Sequence, residues 1–144
     1  MKLSTLGRLL ALAATTTAIA AHAAEPACIQ VEVQNLRPQE GTLMIAAYTD
    51  PADYKARKSS TSLQVRAGAS TTQTVQLCGL SGEMVALSMY QDLNGNGKLD
   101  TSVLGMPTEP WGASGKPPAM SAPTWETTQV PLAAGSTIVV KLSQ

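Results

Sequence analysis

The chain has 144 residues, a formal net charge of zero, two cysteines and one histidine. This length predicts a single domain. No basic stretch stands out, so nucleic acid and anionic membrane surfaces are poor candidate partners. The single histidine, His22, falls in an N-terminal segment that we expect to be removed. The rest of the chain therefore cannot build a Ser-His or Cys-His catalytic pair or a histidine-ligated metal site.

Residues 1–23 have the pattern of a secretory signal peptide. Lys2 and Arg8 come before an uncharged apolar run that starts at Leu9. Small residues at positions 21 and 23 favour cleavage after Ala23. The run is about 13 residues, short of the ~20 that a membrane-spanning helix needs. Cleavage would remove two of ten basic residues and leave ten acidic ones, for a net charge of −2. The pattern predicts a periplasmic or secreted protein that begins at residue 24.

Two cysteines, Cys28 and Cys78, lie in the segment expected to be exported. An even pair in an oxidising compartment predicts a disulfide, the alternative being two free buried thiols. Closing a loop of about 50 residues would stabilise the fold by roughly 4 kcal/mol in the chain-entropy model.

Apolar and polar residues alternate with a period of two through most of residues 24–144, which is typical of half-buried strands. Residues 50–60 are polar and predict a loop with a short helical turn. Residues 104–124 are rich in proline, glycine and serine and predict an irregular loop. The predicted strands are 28–34, 42–49, 61–66, 71–77, 83–91, 125–132 and 136–142.

The strand 83–91 is apolar on both faces, which indicates a central position in a sheet. About seven short strands, separated by turn signals and without a long amphipathic helix, predict an all-β fold. The expected architecture is a single antiparallel β-sandwich over residues 24–144, of immunoglobulin-like type.

The loop after that strand reads "DLNGNGKLD", residues 92–100. Oxygen-bearing side chains at alternate positions, followed by glycine, can curl around Ca²⁺, which takes six to eight oxygen ligands. The candidate ligands are the side chains of Asp92, Asn94, Asn96 and Asp100, the carbonyl of Lys98, and Glu109 to complete the shell. Position 12 of the loop is Val103, where an EF-hand has a bidentate glutamate, so an EF-hand is excluded.

The alternative for this loop is a turn that holds no metal. Asn-Gly is a strong hairpin signal, and Asn and Asp side chains readily bond to their own backbone. The residues alone leave both interpretations open. With two charged ligands, Ca²⁺ affinity would be weak, with a Kd of about 10⁻⁵ to 10⁻³ M.

The segment "DLNGNGKLDTSVLGMPTEPWGAS", residues 92–114, resembles the signature of a family of exported bacterial proteins, domain of unknown function 2141 (DUF2141). Its second half is matched by a set of residues that includes Gly105, Pro107, Glu109, Trp111 and Ser114. The resemblance implies export and a small β-sandwich, alternatively of prealbumin-like type. It implies no activity.

Three classes of function follow from these features. The first is a non-catalytic binding or envelope accessory module stabilised by Ca²⁺, with Trp111 and Trp125 as a possible recognition surface for a glycan or an extended peptide. The second is a purely structural envelope subunit with a metal-free Asn-Gly turn. The third is a histidine-free hydrolase that uses carboxylates such as Asp100 and Glu109. We expect a protein that is not an enzyme, because no catalytic motif occurs.

Overall fold

The computed structural model describes residues 25–119 and 121–143. The signal peptide predicted for residues 1–23 lies outside the described residues. No helix in the described ranges is long and apolar enough to cross a membrane. The elements in chain order are β1 Ala27–Gln34, β2 Thr42–Tyr48, α1 Pro51–Ala56, β3 Thr61–Arg66, β4 Thr72–Leu80, β5 Met84–Asp92, β6 Trp111–Ala113, α2 Trp125–Thr128, β7 Gln129–Pro131 and β8 Thr137–Lys141.

The strands form two sheets that pack face to face. The smaller sheet has the order β4-β1-β8, and the larger has the order β3-β2-β5-β6 with β7 also paired to β5. Neighbouring strands are antiparallel except β1 and β8, which are parallel. The predicted all-β sandwich is therefore confirmed, with eight strands in place of about seven.

The core between the sheets follows from the alternation of residues along each strand. β1 contributes Ile29, Val31 and Val33 to it, and β2 contributes Leu43 and Ile45, all of which are buried. Burying these side chains is the main favourable term that holds the sheets together. β5 pairs with β2 on one side and with β6 and β7 on the other, so its predicted central position is confirmed.

The prediction of one strand over residues 125–132 was wrong in its first half. Helix α2 occupies Trp125–Thr128, and β7 begins at Gln129. The reason is local hydrogen bonding by threonine. The Thr127 hydroxyl accepts the N–H of Thr124 at 3.0 Å, and the Thr128 hydroxyl donates to the Thr124 carbonyl at 2.7 Å. Such bonds stabilise a tight turn in competition with a strand.

The prediction that residues 104–124 are wholly irregular was also wrong, because β6 lies within them. This strand is three residues long, which is too short for a period of two to be visible in the sequence. Gly112, at its centre, faces the end of β8. A Cβ added there would lie 3.0 Å from the carbonyl oxygen of Lys141, so only glycine fits this approach without displacement.

The predicted disulfide is present and joins Cys28 to Cys78. It links β1 to β4, two neighbouring strands of the smaller sheet. β4 extends beyond its predicted end at residue 77, and Leu80 pairs with Ala27. The bridge therefore lies at the end of the sheet where the chain enters the sandwich.

Candidate functional site

The side chain of Asp92, the last residue of β5, organises the first half of the candidate calcium loop. It is only 3% exposed. Its Oδ1 accepts the N–H groups of Gly95 at 2.8 Å and Asn96 at 3.2 Å, and its Oδ2 accepts the N–H of Gly97 at 2.7 Å. Hydrogen bonds to an ionised acceptor are stronger than neutral ones. One buried carboxylate thus fixes three consecutive backbone N–H groups.

The Asp100 side chain closes the loop from its other end. Its two oxygens accept the side-chain NH₂ groups of Asn94 at 2.6 Å and Asn96 at 2.8 Å. The side-chain oxygens of these asparagines accept backbone N–H groups two residues ahead, from Asn96 and Lys98. In both cases the Asn side chain bonds to the backbone two residues further on, which is an Asx turn.

Glu109 fastens the loop at both of its ends. It is 7% exposed, and its Oε1 accepts the N–H of Leu93 at 2.8 Å while its Oε2 accepts the N–H of Asp100 at 3.0 Å. Leu93 is the second residue of the loop, and Asp100 is its last. A carboxylate with two backbone donors in this position acts as a clasp across the loop.

Tyr90 joins the same network from the outer face of β5. Its hydroxyl donates to the carbonyl oxygen of Gly97 at 2.9 Å. Burial raises the pKa of Tyr90, and the negative charges of Asp92 and Glu109 raise it further. Because the charged form of a phenol is the deprotonated one, both effects keep the proton on Tyr90 and preserve its bond to Gly97.

The structure brings together four of the six predicted metal ligands through these bonds: Asp92, Asn94, Asn96 and Asp100. Glu109 contacts backbone N–H groups of the loop, and the Lys98 backbone N–H donates to Asn96. Among the described residues, no group of three or more His, Cys, Asp or Glu side chains is placed to hold a metal ion. Every carboxylate of the loop has N–H donors of the protein itself.

The two tryptophans of the predicted recognition surface have different neighbours. Trp111 opens β6 and pairs with Tyr90 across the larger sheet. Trp125 opens α2 and packs against Tyr54 of α1, with ring centroids 6.1 Å apart. Tyr54 in turn contacts Tyr48 edge to face at 5.0 Å.

A cleft of about 530 Å³ lies between α1 and the segment that leads into α2. Trp125 belongs to its wall, together with the 5%-exposed Tyr54. The Arg57 guanidinium sits 5.5 Å from the centroid of the Tyr54 ring, which is within the range of a cation–π contact. The cleft is lined by Pro51, Ala52, Tyr54, Lys55, Arg57, Pro123, Thr124, Trp125 and Glu126.

Sequence reasoning missed Tyr54 because it lies in the segment predicted to be mainly loop. A signal for a helix is present there: Asp50 precedes Pro51, and its Oδ1 accepts the N–H groups of Ala52 and Asp53. Asp followed by Pro at the first helical position is a typical helix start. What the sequence does not show is that this helix meets Trp125, 71 positions further on.

Two further buried polar residues support the loops without belonging to either candidate site. The Gln91 side chain is fully buried, donates to the carbonyls of Arg37 and Glu40 and accepts the N–H of Arg37. Ser114 accepts the N–H of Leu87 and donates to the carbonyl of Thr128. Both side chains hold irregular backbone against β5.

These features define a small β-sandwich with one internal disulfide. At the end of its central strand it has a loop whose two aspartates accept N–H groups of the loop itself. The chain belongs to the DUF2141 family, described as an uncharacterized protein conserved in bacteria, whose family model matches residues 31–140. The resemblance seen in residues 92–114 is thereby confirmed. No curated protein and no solved structure matches the chain.

Proposed function

We propose that the chain is an exported, non-catalytic binding module of the cell envelope, and that the cleft between α1 and α2 binds a glycan. The observation that carries this proposal is a concave site that combines the half-buried Trp125 ring, backed by the buried Tyr54, with charged and polar groups. Ligand sites are typically clefts of 300–1,000 Å³ with this composition. The N-terminal sequence pattern supports export, and a disulfide is consistent with an oxidising compartment.

A glycan suits this cleft better than an extended peptide. Peptides that add to sheets need a free strand edge, whereas this cleft is walled by helical residues and by the segment before α2. Sugar rings present apolar faces that pack on aromatic rings and hydroxyl groups that bond to polar side chains. Trp125 supplies the ring, and Lys55 and Glu126 supply charged donors and acceptors.

Glycan binding in the cleft is tested by titrating the protein with a panel of oligosaccharides. We expect Trp125→Ala to weaken the binding of the responding glycan by tenfold or more, because the ring is lost from the cleft wall. Trp111→Ala is the matched control, since Trp111 is not among the lining residues, and it should leave the affinity within about twofold. Equal losses in both variants, or a response only to peptides, would contradict the proposal.

We further propose that the loop of residues 92–100 binds Ca²⁺ weakly. The spacing of its oxygen-bearing side chains supports this, and Asp92 Oδ2 and both Asp100 oxygens each accept a single hydrogen bond, which leaves lone pairs for a cation. Binding would require Asn94 and Asn96 to turn their amide oxygens toward the ion. Breaking their bonds to Asp100 lowers the net affinity, in keeping with a Kd of about 10⁻⁵ to 10⁻³ M.

Calcium binding is checked by thermal unfolding with and without the ion. At ~100 times its Kd, Ca²⁺ should stabilise the fold by about 2.7 kcal/mol, a rise in Tm of roughly 5 °C or more. Asp100→Asn, which removes a charge but keeps the side-chain size, should abolish most of the shift. Mg²⁺ at the same concentration serves as the ion control. Superimposable melting curves with Ca²⁺ and with chelator would reject the proposal.

The second candidate is a purely structural envelope subunit with a metal-free loop. The observation that favours it is that every carboxylate oxygen of Asp92, Asp100 and Glu109 already accepts at least one N–H group of the protein, so no oxygen depends on a metal ion for a partner. The melting experiment decides between the two forms of the loop. A hydrolase that uses Asp100 and Glu109 is less well supported, because Glu109 is buried and holds two backbone N–H groups.

A further inference from the structure

A small hairpin between the candidate calcium loop and Glu109 carries an exposed apolar tip. Val103 is 104% exposed, Leu104 86% and Met106 56%. These are three of the four exposed large hydrophobic side chains in the described ranges, and the fourth, Val139, is on β8. Apolar side chains scattered singly need no explanation, whereas three within four positions indicate an interaction site.

The tip is held in a defined shape by its own backbone. Thr101 and Pro107 form an antiparallel bridge, and the N–H of Ser102 donates to the carbonyl of Met106 at 2.8 Å. Gly105 closes the turn with φ of +77°, a conformation that glycine adopts without strain, and donates its N–H to Ser102. The apolar side chains are therefore presented outward by a closed turn.

The base of the hairpin is fixed to the sandwich as well. The N–H of Thr108 donates to the carbonyl of Asp100 at 2.9 Å, and Glu109 accepts the N–H of Asp100. Ordering the tip at a binding event thus costs little conformational entropy, because the turn is already formed.

The small size of the tip favours a lipid bilayer over a protein as its binding partner. A stable protein–protein interface takes about 800 Å² from each partner, with some 20–30 residues a side. Three side chains on a narrow turn fall far short of that. Insertion into the interfacial zone of a lipid bilayer has no such requirement, because binding strength scales with the apolar area that is buried.

The charge around the tip narrows the choice of lipid. Residues 101–107 contain no charged side chain, and the nearest charges along the chain are Asp100 on one side and Glu109 on the other. Residues 99–109 contain no basic side chain that could attract anionic headgroups, so the tip fits a zwitterionic surface better.

We propose that Val103, Leu104 and Met106 form a membrane-inserting tip that docks the sandwich onto a zwitterionic phospholipid surface. This proposal is independent of the glycan cleft and of calcium binding. The tip buries fewer carbon atoms than a myristoyl chain, whose partition constant is about 10⁴ M⁻¹, so binding is reversible and weaker than that value. It is also insensitive to salt, because no ion pair contributes to it.

The test is flotation of the purified protein with phosphatidylcholine vesicles at millimolar lipid. We expect a fraction of the protein to float with the vesicles, at low and at high salt alike. The double substitution V103S/L104S should lower the partition constant tenfold or more. Val139→Ser is the matched control, and it should leave partition unchanged because β8 is remote in sequence and carries a single exposed valine.

Both variants change fully or half-exposed side chains, and their Tm values should equal that of the parent protein, which separates loss of binding from loss of fold. Three results would overturn the proposal: no flotation of the parent protein, equal losses in V103S/L104S and Val139→Ser, or flotation only with anionic vesicles. A concentration-dependent dimer that V103S/L104S abolishes, without flotation, would assign the tip to self-association instead.

Discussion

Replacing Asp92 with alanine should lower the free energy of unfolding by about 3 kcal/mol, with a fall in Tm of roughly 10 °C. The carboxylate is 3% exposed and is the acceptor for the N–H groups of Gly95, Asn96 and Gly97. Each bond to a charged acceptor contributes about 1.5–3 kcal/mol. Water reaches the three freed donors, since Gly95, Asn96 and Gly97 are exposed, so the total loss is smaller than the sum.

The measurement is urea or thermal unfolding in the presence of chelator, so that calcium does not enter the comparison. Asp100→Ala is the matched control. It removes a carboxylate whose partners are two exposed asparagine side chains, and it should cost less than about 1 kcal/mol. Equal losses in the two variants would show that Asp92 does not organise the loop in the way its hydrogen bonds indicate.

Removing the disulfide should have the largest effect on stability. Cys28→Ser combined with Cys78→Ser opens a bridge that spans 50 positions, and the expected loss is about 4 kcal/mol. Most of that loss arises in the unfolded chain, which gains conformations once the cross-link is gone. The measurement is urea unfolding of the variant against the parent protein under non-reducing conditions.

The single variants serve as internal controls for the disulfide. Cys28→Ser and Cys78→Ser break the same bond, so each should cost nearly as much as the double variant, and their effects should not add. Reducing the parent protein with a thiol should give the same loss. A double variant within 1 kcal/mol of the parent would contradict the chain-entropy argument for this bridge.

The sheets of this protein were largely predictable from sequence, because a period of two is imposed by having one buried face. β1, β2 and β3 were each located to within one residue at either end. The wrong predictions concern segments in which local hydrogen bonds replace a strand, or in which the strand is too short to show the alternation of apolar and polar residues. The threonines around α2 bond to their own backbone, and β6 is too short to show alternation.

The candidate sites were predictable only in part, for a related reason. Ligand spacing within residues 92–100 is local information, so the convergence of Asp92 and Asp100 on one loop could be read from the sequence. That Glu109 spans both ends of this loop, and that Tyr54 meets Trp125, depends on contacts between distant segments. No period or motif within a single segment encodes such contacts.

The position of Glu109 also bears on how this protein can diversify. The Glu109 side chain bonds to Leu93 near the start of the loop and to Asp100 at its end. The hairpin lies between Asp100 and Glu109, so we expect its sequence to have little effect on the structure of the sandwich. We expect substitution or lengthening at the tip to leave both of these bonds intact. The hairpin can therefore vary in sequence and length while the sandwich keeps its structure, so new binding properties can evolve or be engineered at this position.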